Sequence, residues 1–150
     1  MDKHPRILVV DDDESIRKTL NAILKDEGYT VDVAATACEA IQKTEETAYN
    51  VAFIDIRLPD MDGVELLKLM KETVPKTRKV ILTGYPTMEN AITALNKNAD
   101  AYMIKPVNLE KLLNTVKEQL ELQENERKFS EQKVAAFIET RVKELSATHT

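Results

Sequence analysis

Val51-Ala52-Phe53-Ile54-Asp55 decides the fold: four apolar residues in succession, then an acid. A strand with one wet face alternates apolar and polar side chains, whereas a strand covered by helices on both faces is apolar at consecutive positions. The stretch therefore predicts a central strand of a parallel sheet. Its flanks agree. Before it, Ala37 to Thr47 reads as a helix on Ala37, Ala40, Ile41 and Ala48. After it, the turn-rich Leu58-Pro59-Asp60-Met61-Asp62-Gly63 opens a helix carrying Val64, Leu66, Leu67 and Met70, closed at Val74-Pro75.

The same alternation extends outward in both directions. Ile7-Leu8-Val9-Val10 reads as the first strand, followed by a helix from about Ser15 to Glu27 with Ile16, Leu20, Ile23 and Leu24 on one face and Gly28 as its stop. Tyr29 to Ala34 is the second strand and Val80-Ile81-Leu82 the fourth, with a fourth helix over Met88 to Asn96. Ala101-Tyr102-Met103-Ile104 is the fifth strand, and a helix begins near Asn108, a good N-cap. Five strand–helix units in succession predict an α/β fold, a doubly wound five-stranded parallel sheet with helices on both faces.

Composition narrows the class. The 150 residues suit one domain with an appendage, and 43% apolar with 31% charged residues reads as soluble and globular. No run approaches the roughly 20 apolar residues of a membrane span. The opening Met1-Asp2-Lys3-His4-Pro5-Arg6 passes straight into a short apolar run ending at Asp11, which is no secretory signal, so a cytoplasmic location is expected. One cysteine, Cys38, excludes an intrachain disulfide; with only His4 and His149 beside it, a Cys/His zinc site is excluded too. Cys38 itself is expected to be a small buried helix residue. With 21 basic against 26 acidic residues, the net charge of −5 argues against direct nucleic-acid binding.

The chemistry gathers where the strands end. Asp11 and Asp12 follow the first strand, Asp55 the third, Thr83 the fourth and Lys105 the fifth. In open parallel sheets the carboxyl ends of the strands border one crevice. Three carboxylates, a hydroxyl and an ammonium thus converge on one edge. Clustered carboxylates need positive charge among them, and oxygen-only ligands on an open edge suit magnesium. A carboxylate beside the ion can attack phosphorus to give an aspartyl phosphate, with Lys105 and Thr83 neutralising the phosphoryl oxygens. Asp55, alone on the central strand, is the candidate nucleophile; Asp11 and Asp12 are paired as metal ligands would be.

Ile7-Leu8-Val9-Val10-Asp11-Asp12-Asp13, Phe53 to Gly63, Ile81-Leu82-Thr83-Gly84-Tyr85 and Ala101-Tyr102-Met103-Ile104-Lys105-Pro106, in this order and spacing, resemble a receiver domain of two-component response regulators, over roughly residues 5–120. The resemblance implies strand order 2-1-3-4-5, an order for which a receiver is a familiar example. It implies that Asp55 accepts a phosphoryl group from the phosphohistidine of a sensor histidine kinase. It further implies Mg2+ held by Asp11 through water, by Asp12, by Asp55 and by the backbone carbonyl of Arg57. Lys105 and Thr83 would contact the phosphoryl oxygens, Tyr102 would follow Thr83 between rotamers, and the Lys105-Pro106 bond would be cis. The surface of the fourth helix, fifth strand and fifth helix would then change to control partner binding or dimerisation. Such a protein is no enzyme beyond its own phosphorylation and dephosphorylation. Gly84 departs from the small residue with a side chain more usual there, leaving phosphoryl access open, and Arg57 with Tyr85 is expected to slow hydrolysis.

Other readings stand beside this one. Asp11 to Glu14 would also suit a helix N-terminus. Asp11-Asp12-Asp13-Glu14-Ser15 also fits the nucleophile motif of haloacid-dehalogenase-type phosphohydrolases, although Asp55 would then have no role. A receiver that has lost its chemistry is a third. Residues 121–150 are read as a helical extension, coiled coil or linker: a polar stretch from Glu121 to Lys133, then Val134, Phe137, Ile138, Val142 and Leu145 at helical spacing. A homodimer through this helix is one expected partner, and no DNA-binding or enzymatic output domain is recognisable.

Overall fold

The computed structural model describes residues 4–84, 87, 93, 96 and 99–148. Its elements are β1 (Arg6–Val10), α1 (Glu14–Asp26), β2 (Thr30–Ala34), α2 (Ala37–Glu46), β3 (Val51–Asp55), α3 (Gly63–Leu69), β4 (Arg78–Thr83), β5 (Ala101–Ile104) and a long helix, Leu109–Thr148. The five strands form one sheet in the order β2-β1-β3-β4-β5, all parallel, as expected. All five residues of β3 are buried. The fourth helix expected over Met88 to Asn96 lies outside the described residues, except Thr93 and Asn96, which are helical; Tyr85 lies outside them too.

Successive side chains of a strand point to opposite faces, so each strand feeds two cores. Leu8, Val10, Ala52, Ile54 and Ile81 pack with Ala37 and Ala40 of α2 and with Leu66 and Leu67 of α3. Ile7, Val9, Val51, Phe53, Val80 and Leu82 pack with Leu20 and Leu24 of α1 and with Leu112, Val116 and Leu120 of the long helix. Full burial of a side chain such as Leu24 or Phe53 contributes about 1.5–3 kcal/mol.

Local chemistry sets the boundaries. Asp13 caps α1, its carboxylate accepting from Ser15 and Ile16 amides, and Gly28 ends the turn after α1 at φ +94°, where glycine alone is unstrained. Asn108 accepts from the amide of Lys111 at the start of the long helix. Helix α2 stops at Glu46, so Ala48 is exposed and off its apolar face; Tyr49 fills the space, donating to Asp32 at 2.7 Å. Helix α3 ends at Leu69, short of Val74-Pro75, because Met70 turns extended (φ −69°, ψ 138°) and buries its side chain in the core. Strand β4 starts two residues before its apolar run, at Arg78. Cys38 is exposed, contrary to expectation, on the outward side of the first turn of α2, and Leu109 is 53% exposed because it precedes the stretch that meets the sheet.

The long helix is tied to the amino-terminal end of the sheet by polar groups. Gln123, buried, donates to the carbonyls of Asn50 and Lys76 at 3.1 and 2.8 Å and accepts from the Asn50 side chain at 2.9 Å. Arg78 donates to Gln119 at 2.8 Å and Glu126 at 2.9 Å.

Candidate functional site

The strand ends bring Asp11, Asp12, Asp55, Thr83 and Lys105 to one edge, as the sequence pattern places them. The sheet's hydrogen bonding continues past the strands there: the amides of Asp11, Ile56 and Lys105 donate to the carbonyls of Ala34, Leu82 and Thr83 at 3.0, 3.0 and 2.8 Å. This holds the loops in the plane of the sheet. Asp11 and Thr83 are wholly buried, Asp55 nearly so, and Asp12 is exposed. Asp11 is fixed from both sides: one oxygen accepts from the Asp13 amide at 2.9 Å, the other from Lys105 Nζ at 2.6 Å. Its backbone carbonyl accepts from the Arg17 guanidinium at 2.8 Å. Capping of α1 therefore falls to Asp13, leaving Asp11 and Asp12 for the crevice.

Lys105 Nζ also stands 3.4 Å from Asp55 Oδ2, so one ammonium spans two carboxylates. Burial disfavours that charge, but the hydrogen bond and charge of Asp11 with the charge of Asp55 outweigh it, and the Lys105 pKa is raised. Asp55 moves the other way in charge: burial, then the neighbouring Asp11, push its pKa up to about 6, against the opposing Arg57 amide and Lys105. One carboxylate oxygen from each of Asp11, Asp12 and Asp55 lies within 4.8 Å of the others. Three carboxylates against one ammonium leave the crevice short of positive charge, and the donors are all oxygen. That set fits a hard divalent cation of the magnesium type.

The remaining sequence-predicted residues are placed as follows. Arg57 is exposed, and its amide donates to Asp55 Oδ1 at 3.3 Å. Tyr102, on β5 opposite Ile81, is partly buried, and its hydroxyl is enclosed without a hydrogen-bond partner among the described residues. The Lys105-Pro106 bond is cis, as the resemblance implied.

Two supporting residues escaped the sequence reading. Asp60, in the loop after Asp55, places its carboxylate on the amino end of α2, accepting from the amides of Ala37 and Cys38 at 2.9 Å each, which lowers its pKa. Gly63 packs so closely on β3 that a Cβ there would stand 2.1 Å from the carbonyl oxygen of Asp55. The Asp60-Met61-Asp62-Gly63 turn opens α3 as read, with Asp62 as its N-cap, but it also clamps the loop below Asp55.

Known proteins share this fold. A family model described as the response regulator receiver domain matches residues 7–117. The transcriptional regulatory protein ZraR of Klebsiella oxytoca is 40% identical over 114 residues, 76% of this chain but 26% of that protein. The chain thus spans about a quarter of that relative's length. A CheY-like receiver domain protein from Methanospirillum hungatei superposes with a TM-score of 0.78 at 47% identity, covering 83% of this chain and 99% of that one. The beryllofluoride-activated NtrC4 receiver domain dimer gives 0.74 at 39% identity, covering 79% and 98%.

Proposed function

The chain belongs to the response regulator receiver domain family, and from that premise we propose that it is a magnesium-dependent phosphoacceptor switch driven by a sensor histidine kinase. The observation that carries this reading is Lys105 Nζ standing between Asp11 and Asp55 at the ends of two adjacent strands, with a third carboxylate beside them. An Asp55 oxygen attacks phosphorus, the phosphorus–nitrogen bond to the kinase's histidine breaks, and its electron pair returns to the imidazole. Lys105 and the Thr83 hydroxyl stabilise charge on the phosphoryl oxygens. Asp11, Asp12, Asp55 and the Arg57 carbonyl would hold Mg2+, which supplies further charge neutralisation.

Lys105 must exchange part of its pairing with Asp11 for the phosphoryl group, and Thr83 must turn toward it. Tyr102, whose enclosed hydroxyl has no hydrogen-bond partner among the described residues, turns with Thr83. The surface of the sequence-predicted fourth helix, β5 and the first turns of the long helix then changes, which alters partner binding or dimerisation. Arg57 and Tyr85 slow loss of the phosphoryl group. The protein turns over no separate substrate and works in the cytoplasm, a reading its family membership supports. No direct nucleic-acid contact is assigned to these 150 residues; ZraR, named a transcriptional regulatory protein, is far longer.

The phosphohydrolase reading loses ground to the family match and to Asp55, for which it had no use. The test is intact mass after incubation with Mg2+ and a small phosphodonor. One phosphoryl addition that requires Mg2+ and disappears in Asp55→Asn is expected. Addition that survives in Asp55→Asn and disappears in Asp11→Asn would transfer the nucleophile's role to Asp11, and no addition at all would indicate a receiver without chemistry.

A further inference from the structure

From Lys128 to Ala147 every residue of the long helix is exposed. Val134, Phe137, Ile138, Val142 and Leu145 lie there, each more than half exposed. Their phase is informative. At 3.6 residues per turn, eighteen residues make about five whole turns. Val134 stands eighteen residues after Val116, and Ile138 eighteen after Leu120. Val116 and Leu120 are buried against the sheet. The protruding apolar stripe therefore points to the same side of the helix as the α/β body, beyond the edge where that body stops.

We infer that this stripe pairs with the same stripe of a second copy, and that the two helices run antiparallel. Packed helices lie about 8–10 Å apart. In a parallel pair, the second helix, followed back from its stripe, would run through the space already filled by the first copy's body. An antiparallel pair avoids this, because each body lies beyond the free end of the other helix.

The residues suit a two-fold axis passing between Glu139 and Thr140. It sets Val134 opposite Leu145 of the second copy and Phe137 opposite its Val142, each pair occurring twice. Lys133 and Glu144 are eleven residues apart, about three turns, and so share one flank of the stripe. In an antiparallel pair like flanks meet, which brings each lysine near the other copy's glutamate.

Interface size also favours this arrangement. The stripe from Val134 to Leu145 is only about 18 Å long, whereas a stable interface buries about 800 Å² on each partner. In the antiparallel pair the free end of each helix reaches the floor of the other body. A groove there is lined by Val74, Pro75 and Phe129, with Val74 99% exposed and Phe129 59% exposed. The pairing uses no atom of the phosphoryl site, so it stands or falls independently of the proposed chemistry.

The test is sedimentation of the unphosphorylated chain over a range of concentrations, followed by distance measurements between single spin labels. A reversible dimer is expected, lost in Ile138→Asp with an unchanged circular-dichroism spectrum, and kept in Asp55→Asn. With Cys38→Ser as background, labels at Thr140 should lie closest to their counterparts, labels at Ala147 farther apart, and labels at Lys128 farthest. Equal separations at all three positions would mean parallel pairing and overturn the inference. A monomer at every concentration, or a dimer indifferent to Ile138→Asp, would overturn it as well.

Discussion

At the scale of single residues, Asp55 is held at a cost to folding. Its folded pKa, about 6, lies above the ordinary 3.8, so between those values the folded protein keeps a proton that the unfolded chain has lost. Stability therefore falls as pH rises through that window. In metal-free buffer at pH 7, Asp55→Asn is expected to be more stable than the parent by about 1–3 kcal/mol, and the two should converge below pH 4; urea unfolding with a chelator present checks this. Gly63→Ala should cost about 1–3 kcal/mol, because its Cβ meets backbone, the Asp55 carbonyl, which has no rotamer to yield. Gly84→Ala is the control: a Cβ there meets nothing described within 4 Å, and stability should change by less than about 0.5 kcal/mol. Asp11, Asp55, Thr83 and Lys105 were legible because each directly follows an apolar run, with Asp12 next to the first of them, and the end of a strand can be read from where that run stops. Asp60 and Gly63 were not, since their roles depend on which backbone comes to lie beside them.

At the scale of elements, apolar spacing located every described strand and most helix faces, and it failed where polar residues carry the packing. Arg78 and Lys79 extend β4 although neither is apolar: Arg78 reaches the long helix, and Lys79 donates to the Leu67 carbonyl at 3.1 Å. Gln123 lies in the polar stretch from Glu121 to Lys133, and Gln119 just before it, yet both are buried. A glutamine in sequence says nothing about whether a carbonyl waits across from it. Gln123→Ala should leave the carbonyls of Asn50 and Lys76 and the Asn50 amide short of partners, at about 1–3 kcal/mol. Hydrogen exchange should then quicken in the long helix near Leu120, while α1 and α2 keep their protection.

At the scale of the whole molecule, the acidic crevice occupies the carboxyl-terminal edge of the sheet and the polar ties of the long helix the opposite edge. Mg2+ that binds the folded chain alone must stabilise it, by about 2.7 kcal/mol at a hundred times the dissociation constant. A rise in melting temperature with Mg2+ is expected for the parent, and a smaller one for Asp12→Ala. Strand β4 joins the two edges, ending in Thr83 at one and beginning with Arg78 at the other, about 17 Å away. Arg78 grips the helix at Glu126, and the helix continues to Thr148, about 33 Å farther. The helix is therefore a lever whose fulcrum is Arg78: a tilt of about 10° there sweeps the tip through about 6 Å along that length. A displacement too small to notice at the strand becomes, at the tip, the width of a side chain.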